Sequence, residues 1–196
     1  MAIIDPFPEE RVRNFLASAE DLQRFYFALF NAQRAQIAAS DVVGGLTESD
    51  KSISDRALES CWRAAETQDF DGLTRHVGPM WDLLVPDDDE KYTSYNSATN
   101  SSFASIIYTI ESVTGDDQIE SAYSASTSMF DLADYLLQRN HTGYVEDLSA
   151  APVTAFAAHC VTADLDRLAD TSRTLSLSTL RTQLVAEGHE LSSLAV

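Results

Sequence analysis

Apolar residues recur at three- and four-residue intervals along almost the whole chain, and the alternation expected of a half-buried strand is nearly absent. The first periodic stretch follows "DPFPEE", where proline and acids suit a helix start and place Glu9 and Glu10 near the positive end of its dipole. Phe15, Leu22, Phe25, Leu29 and Ile37 then share one face, with a break expected near residues 18–21. "DVVGGLTESDKS" reads as a loop broken at Gly44–Gly45, after which Ser52 or Ser54 caps a helix carrying Ile53, Ala57, Leu58, Cys61, Trp62 and Ala65. "FDGLTRHVGPMWDLLV" is a shorter helical element, bent or split at Gly78–Pro79 because proline lacks the amide donor.

Two long helices come next. One runs from Tyr92 to Val113, with Phe103, Ile106, Ile107 and Ile110 on one face. The other runs from Asp117 to Gln138, with Ala122, Met129, Phe130, Ala133, Leu136 and Leu137 at helical spacing and Asp116 as its N-cap. Pro152 opens a sixth helix that ends near Asp170, and a seventh spans Leu177 to Glu187 with Gly188 as its stop. The pattern predicts an all-α, single-domain antiparallel bundle of about seven helices over residues 1–196.

Both long helices are crowded with small residues, "NSATNSSFAS" and "SAYSASTSM". Serine is a middling helix former, so propensity does not account for them. Small faces let helix axes approach, with hydroxyls bonding back to the preceding turn. The alternative is a polar groove lined by these serines together with Tyr92, Tyr95, Asn96 and Tyr123.

Charge changes the picture of partners. The formal net charge is −18, divided equally between the two halves of the chain. Between Asp82 and Asp134 there are 11 acids and a single base, Lys91. Such a field repels nucleic acid and anionic membrane surfaces, so neither is expected as a partner. A basic protein is. With two lysines against 11 arginines, codon bias or a salt-adapted surface would also produce this balance.

Motifs for common chemistry are missing from the sequence. There is no glycine-rich phosphate loop, no G-x-S-x-G elbow and no paired Cys or His at zinc spacing. No catalytic residue, metal ligand or cofactor is expected. Cys61 and Cys160 fall on apolar faces and read as buried free thiols. His159 reads as a hydrogen-bonded structural histidine, and Trp62 and Trp81 read as core. Asp131 and Asp134 lie on the polar side of their helix. "VPDDDEKY" fails as a calcium loop because Lys91 occupies a ligand position and the required glycine is missing. Asp87, Asp88, Asp89 and Glu90 are better read as the acidic entry to the helix at Tyr92. No signal peptide opens the chain and no apolar run is long enough for a bilayer, which predicts a cytoplasmic protein.

"RALESCWRAA", "VPDDDEKYTSYNSATNSSFASIIYTIE", "DDQIESAYSASTSMFDLADYL" and "TLRTQLVAEGHEL", in that order, resemble the YjaG-like bacterial family, an all-helical domain of unknown function. The resemblance implies a helical fold over nearly the whole chain and carries no catalytic residue with it.

Three functional expectations follow. The first is a non-enzymatic module that binds a basic partner through an acidic face made of Asp87, Asp88, Asp89, Glu90, Asp116, Asp117, Asp131 and Asp134, in one version an immunity or inhibitor protein for a basic toxin. The second is a small-molecule binder or enzyme with its pocket between the helices at 92–113 and 117–138. The third is a homo-oligomer that buries an apolar helix face.

Overall fold

The computed structural model describes residues 5–42, 46–170 and 175–195. Gly44–Gly45, the expected breaker, lies outside the described residues. Among the described residues there are eight α-helices: α1 (Glu9–Ser18), α2 (Asp21–Asp41), α3 (Glu48–Thr67), α4 (Val77–Trp81), α5 (Ser94–Thr114), α6 (Gln118–Arg139), α7 (Pro152–Ala169) and α8 (Leu177–Leu194). Two short 3₁₀ turns, Leu73–His76 and Leu148–Ala150, precede α4 and α7, and no strand occurs among the described residues. The chain is all-α, as its periodicity predicts. The count is eight rather than seven because the first apolar stretch divides at Ala19–Glu20, where both residues are extended and Gln23 accepts a bond from the Glu20 amide.

α2 is the axis of the fold. It packs against α3, α5, α6, α7 and α8, and from Phe27 to Gln36 every residue is buried. The one-sided face expected here is therefore wrong in kind: this helix is enclosed. Its interior polar residues are held accordingly. Gln33 Oε1 accepts from Trp62 Nε1 at 2.7 Å, and Gln36 bridges Ser54 on α3 and Ser102 on α5, each at 2.8 Å.

The serine-rich helices pack closely. α5 and α6 form an antiparallel hairpin in which Ser105 Oγ reaches the Ala125 carbonyl at 3.0 Å, while Arg139 at the far end lies over the Tyr95 ring. Thr109, Ser112 and Ser126 bond to carbonyls of their own preceding turns, so these buried hydroxyls are satisfied without a groove between the helices.

Several helix boundaries differ from expectation, each for a local reason. α3 begins at Glu48 with Thr47 accepting from the Asp50 amide, while Ser54 is buried inside the helix and bonds Lys51 and Gln36. The N-cap of α6 is Asp117, which accepts from the Glu120 amide, rather than Asp116. α8 runs through Gly188 to Leu194, so this glycine stops nothing; it lets α8 lie directly against α2, beside Ile37 and the Arg34 carbonyl. Cys61 and Cys160 are buried free thiols, and burial pushes both up to about 12. No described helix is long and apolar enough to cross a membrane.

Candidate functional site

The densest acidic stretch is a folded turn rather than a helix entry. Asn100 on α5 clips its beginning, accepting from the Val85 amide at 3.1 Å and donating to the Val85 carbonyl at 2.7 Å. The Asp89 amide then bonds Pro86 O, and the Asp89 carboxylate accepts from the Lys91 amide at 2.8 Å. α5 starts only at Ser94, capped by Thr93 with Asn96, whose Oδ1 accepts from the Thr93 amide at 2.6 Å. Asp87 to Glu90 thus lie outside the first turn, where the helix dipole has little hold on them. Asn96, expected to face a pocket, serves as this cap.

These four acids are exposed, and so are Asp82, Asp116, Asp117 and Asp131, while Asp134 is half-buried and accepts from Gln138 at 2.9 Å. They do not converge on a point. Asp87 to Glu90 lead into one end of the α5–α6 hairpin, Asp116 and Asp117 sit at its turn, and Asp131 and Asp134 lie between. At about 1.5 Å per residue the band is on the order of 30 Å long. Among the described residues no group of three or more His, Cys, Asp or Glu is placed to hold a metal ion.

The band differs from the rest of the surface in how its charge is balanced. Elsewhere several acids meet bases, Glu9 with Arg13, Asp21 with Arg24, Asp166 with Arg11 and Glu59 with Arg181, although others such as Glu10, Glu48 and Asp71 stand exposed without an ion pair among the described residues. Within the band, Glu120 is the one acid with a basic partner among the described residues, Arg13 at 3.4 Å. Beside the band stands Trp81, 46% exposed at the end of α4, its neighbour Met80 taking the buried position instead. Trp81 is therefore not the core residue that its spacing suggested, whereas Trp62 is.

Asp131 has a local consequence. Although the residue is exposed overall, desolvation of its carboxyl against the protein, and then the like charges of Asp134 and Asp5, push it up to about 6. The folded protein holds this proton more tightly than the unfolded chain does. Its contribution to stability is complete below the ordinary value of 3.8 and disappears as pH rises through about 6. Asp131→Asn should remove that dependence. The expected result is a melting temperature that gains on wild type between about pH 4 and pH 7; a difference that stays constant over this interval would contradict the assignment.

The four residues expected to line a pocket are not brought together. Tyr92 OH pairs with Ser97 Oγ at 2.5 Å, and Tyr95 lies under Arg139. Tyr123 is 16 positions from Arg139 on α6, about 24 Å along the axis. There its hydroxyl donates to Glu9 at 3.2 Å and its ring lies under Arg13 at 3.7 Å. His159 is exposed on α7 and not a structural histidine of the interior.

Two arrangements escaped the sequence reading. Asp41 accepts from Ser192 Oγ at 2.7 Å and meets His189 Nδ1 at 2.7 Å. The serine is turned to the carboxylate rather than the imidazole, so the order needed to activate a nucleophile is not formed. The second is a buried ion network. Arg34 on α2 meets both oxygens of Asp164 on α7, at 2.5 and 3.0 Å, and Glu187 on α8 at 2.7 Å, while Arg167 donates to Asp164 at 2.7 Å. Burial pushes the Asp164 carboxyl up, and the two guanidiniums oppose it. Three charge-assisted bonds on its oxygens suit the ionised form. A signal for this network existed. Arg34 is the sole charge between Phe25 and Ser40, and Asp164 interrupts the apolar register of Val161, Leu165 and Leu168.

Neither a family model nor a curated protein matches the chain, and no solved structure matches its fold.

Proposed function

We propose that the protein is a cytoplasmic, non-catalytic helical module that binds a basic protein partner through the band from Asp82 to Asp134, with Asp87, Asp88, Asp89 and Glu90 as its densest part. The observation that carries this reading is a contrast of degree: several acids elsewhere meet bases, whereas among the described residues Glu120 is the one acid of the band that does, and an exposed Trp81 stands beside the band. Unbalanced charge raises the rate at which an oppositely charged partner finds the surface. An exposed tryptophan is the side-chain type most often found at the energetic centre of an interface, and it also attracts cations through its ring. Neutralisation of a basic toxin or nuclease is one form this function would take. The YjaG-like resemblance belongs to the same reading and rests on the four quoted stretches, their order and the helix lengths.

The pocket reading has less in its favour, because Tyr92 and Tyr123 already engage their hydroxyls, and Asn96 its Oδ1, within the protein. The oligomer reading has no broad apolar face behind it among the described residues, where the exposed large hydrophobics are Trp81, Ile119 and Tyr144, on separate elements. The test is affinity capture by wild type and by a variant with Asp87, Asp88 and Asp89 changed to Asn and Glu90 to Gln. A basic protein retained by wild type at about 20 mM salt, released at about 500 mM and absent from the variant is the expected result. Equal retention by both proteins would defeat the proposal.

A further inference from the structure

A groove of about 470 Å³ opens between α3 and α8, with α2 as its floor. That volume falls within the ~300–1,000 Å³ of ordinary small-molecule sites. Ile37, Leu58 and Val185 supply its apolar surface, and the Arg181–Glu59 pair at 2.6 Å ties the two walls at the mouth.

The floor presents one polar group with work left undone. Gln33 is 3% exposed, and its Oε1 accepts from the Trp62 indole. An indole nitrogen only donates, so the carboxamide orientation is fixed and its NH₂ is the free end. That NH₂ has no acceptor among the described residues, in contrast to neighbouring Gln36, whose amide is engaged at both ends. The NH₂ is not sealed from solvent, so it opens into the groove and an acceptor on a ligand would take the place of water there.

The rim carries both signs of charge. The Arg56 guanidinium has no ion partner among the described residues, and Asp55 has one oxygen bound to Gln36 and the other available. Asp55, Glu59, Arg56 and Arg181 sum to zero, which disfavours an ion of either net sign and suits a molecule that carries both charges.

We infer that this groove binds a free α-amino acid whose side chain carries a carbonyl acceptor: the acceptor takes the Gln33 Nε2 hydrogens, Arg56 takes the carboxylate, and Asp55 takes the ammonium. The site is separate from the acidic band and does not depend on it.

The test is a titration of the full chain with glutamine, asparagine and, as a control without the acceptor, leucine, followed through the side-chain NH₂ signals of Gln33 and the indole N–H of Trp62. Glutamine or asparagine should move both signals saturably, and leucine should leave the Gln33 NH₂ in place. Arg56→Glu, a change at an exposed position, should weaken the effect about tenfold or more. The inference is overturned if neither amide amino acid moves Gln33 by about 10 mM, in which case the groove holds only water. It is equally overturned if leucine acts as well as glutamine, or if Arg56→Glu binds as wild type does.

Discussion

Arg34→Ala should cost about 3–5 kcal/mol of stability, the largest loss expected from any single change in this fold. The guanidinium is wholly buried and joins three helices, with Asp164 of α7 and Glu187 of α8 as its partners. Forming such a network is close to neutral, because the desolvation of each ion offsets most of the Coulombic attraction. Removing one partner is different. Asp164 would remain fully buried with Arg167 as its remaining base, and the vacated space would add a cavity cost. The same reasoning predicts a recovery: Arg34→Met combined with Asp164→Leu removes both charges at similar volume and should regain most of the loss. Urea unfolding of the two variants measures this. A loss below about 1 kcal/mol in Arg34→Ala, or a double variant no better than the single one, would contradict the account of the network.

Gly188→Val should cost about 3 kcal/mol, at the upper end of what overpacking does. A Cβ at this position would stand 2.6 Å from Ile37 Cβ and 3.0 Å from the Arg34 carbonyl oxygen. Neither obstacle is the tip of a long flexible side chain, so α8 itself must move off α2. Intrinsic propensity acts in the opposite direction, since glycine inside a helix is worth about 1 kcal/mol less than alanine. Gly188→Ala therefore sets the two effects against each other, and the contact should win by a smaller margin. Because Glu187 is adjacent, displacement of α8 also lengthens its contact with Arg34. A Gly188→Ala protein more stable than wild type in urea would show that the helices separate easily and that close approach is not the reason for this glycine.

The helical class was readable because periodicity near 3.6 is a local property, and the serine-rich stretches disclosed their role because hydroxyls bond within their own helix. The enclosure of α2 was harder to read. "FALFNAQRAQ" has enough polar residues to look like an ordinary surface helix, and only partners distant in sequence, Asp164 and Trp62, make its interior tolerable. Gly188 was misread for a related reason: a glycine near the end of a periodic stretch signals a stop, unless another helix happens to lie against it. Trp81 and Met80 are adjacent in α4, which runs through Gly78 and Pro79 without the bend expected there, and successive helical positions face about 100° apart, so packing alone decides which of the two turns inward. The acids of residues 87–90 were visible from the start, but whether bases stood near them depended on the whole fold. That balance, rather than any motif, is what marks the band.

The most direct test of the central claim is the association rate of the captured basic protein, measured across salt concentrations for wild type and for the variant neutralised at Asp87, Asp88, Asp89 and Glu90. Electrostatic capture by the band predicts a wild-type rate that falls steeply as salt rises, a variant rate that is lower and nearly flat, and convergence of the two at high salt. Identical rates with identical salt dependence in both proteins would mean that the band does not recruit the partner.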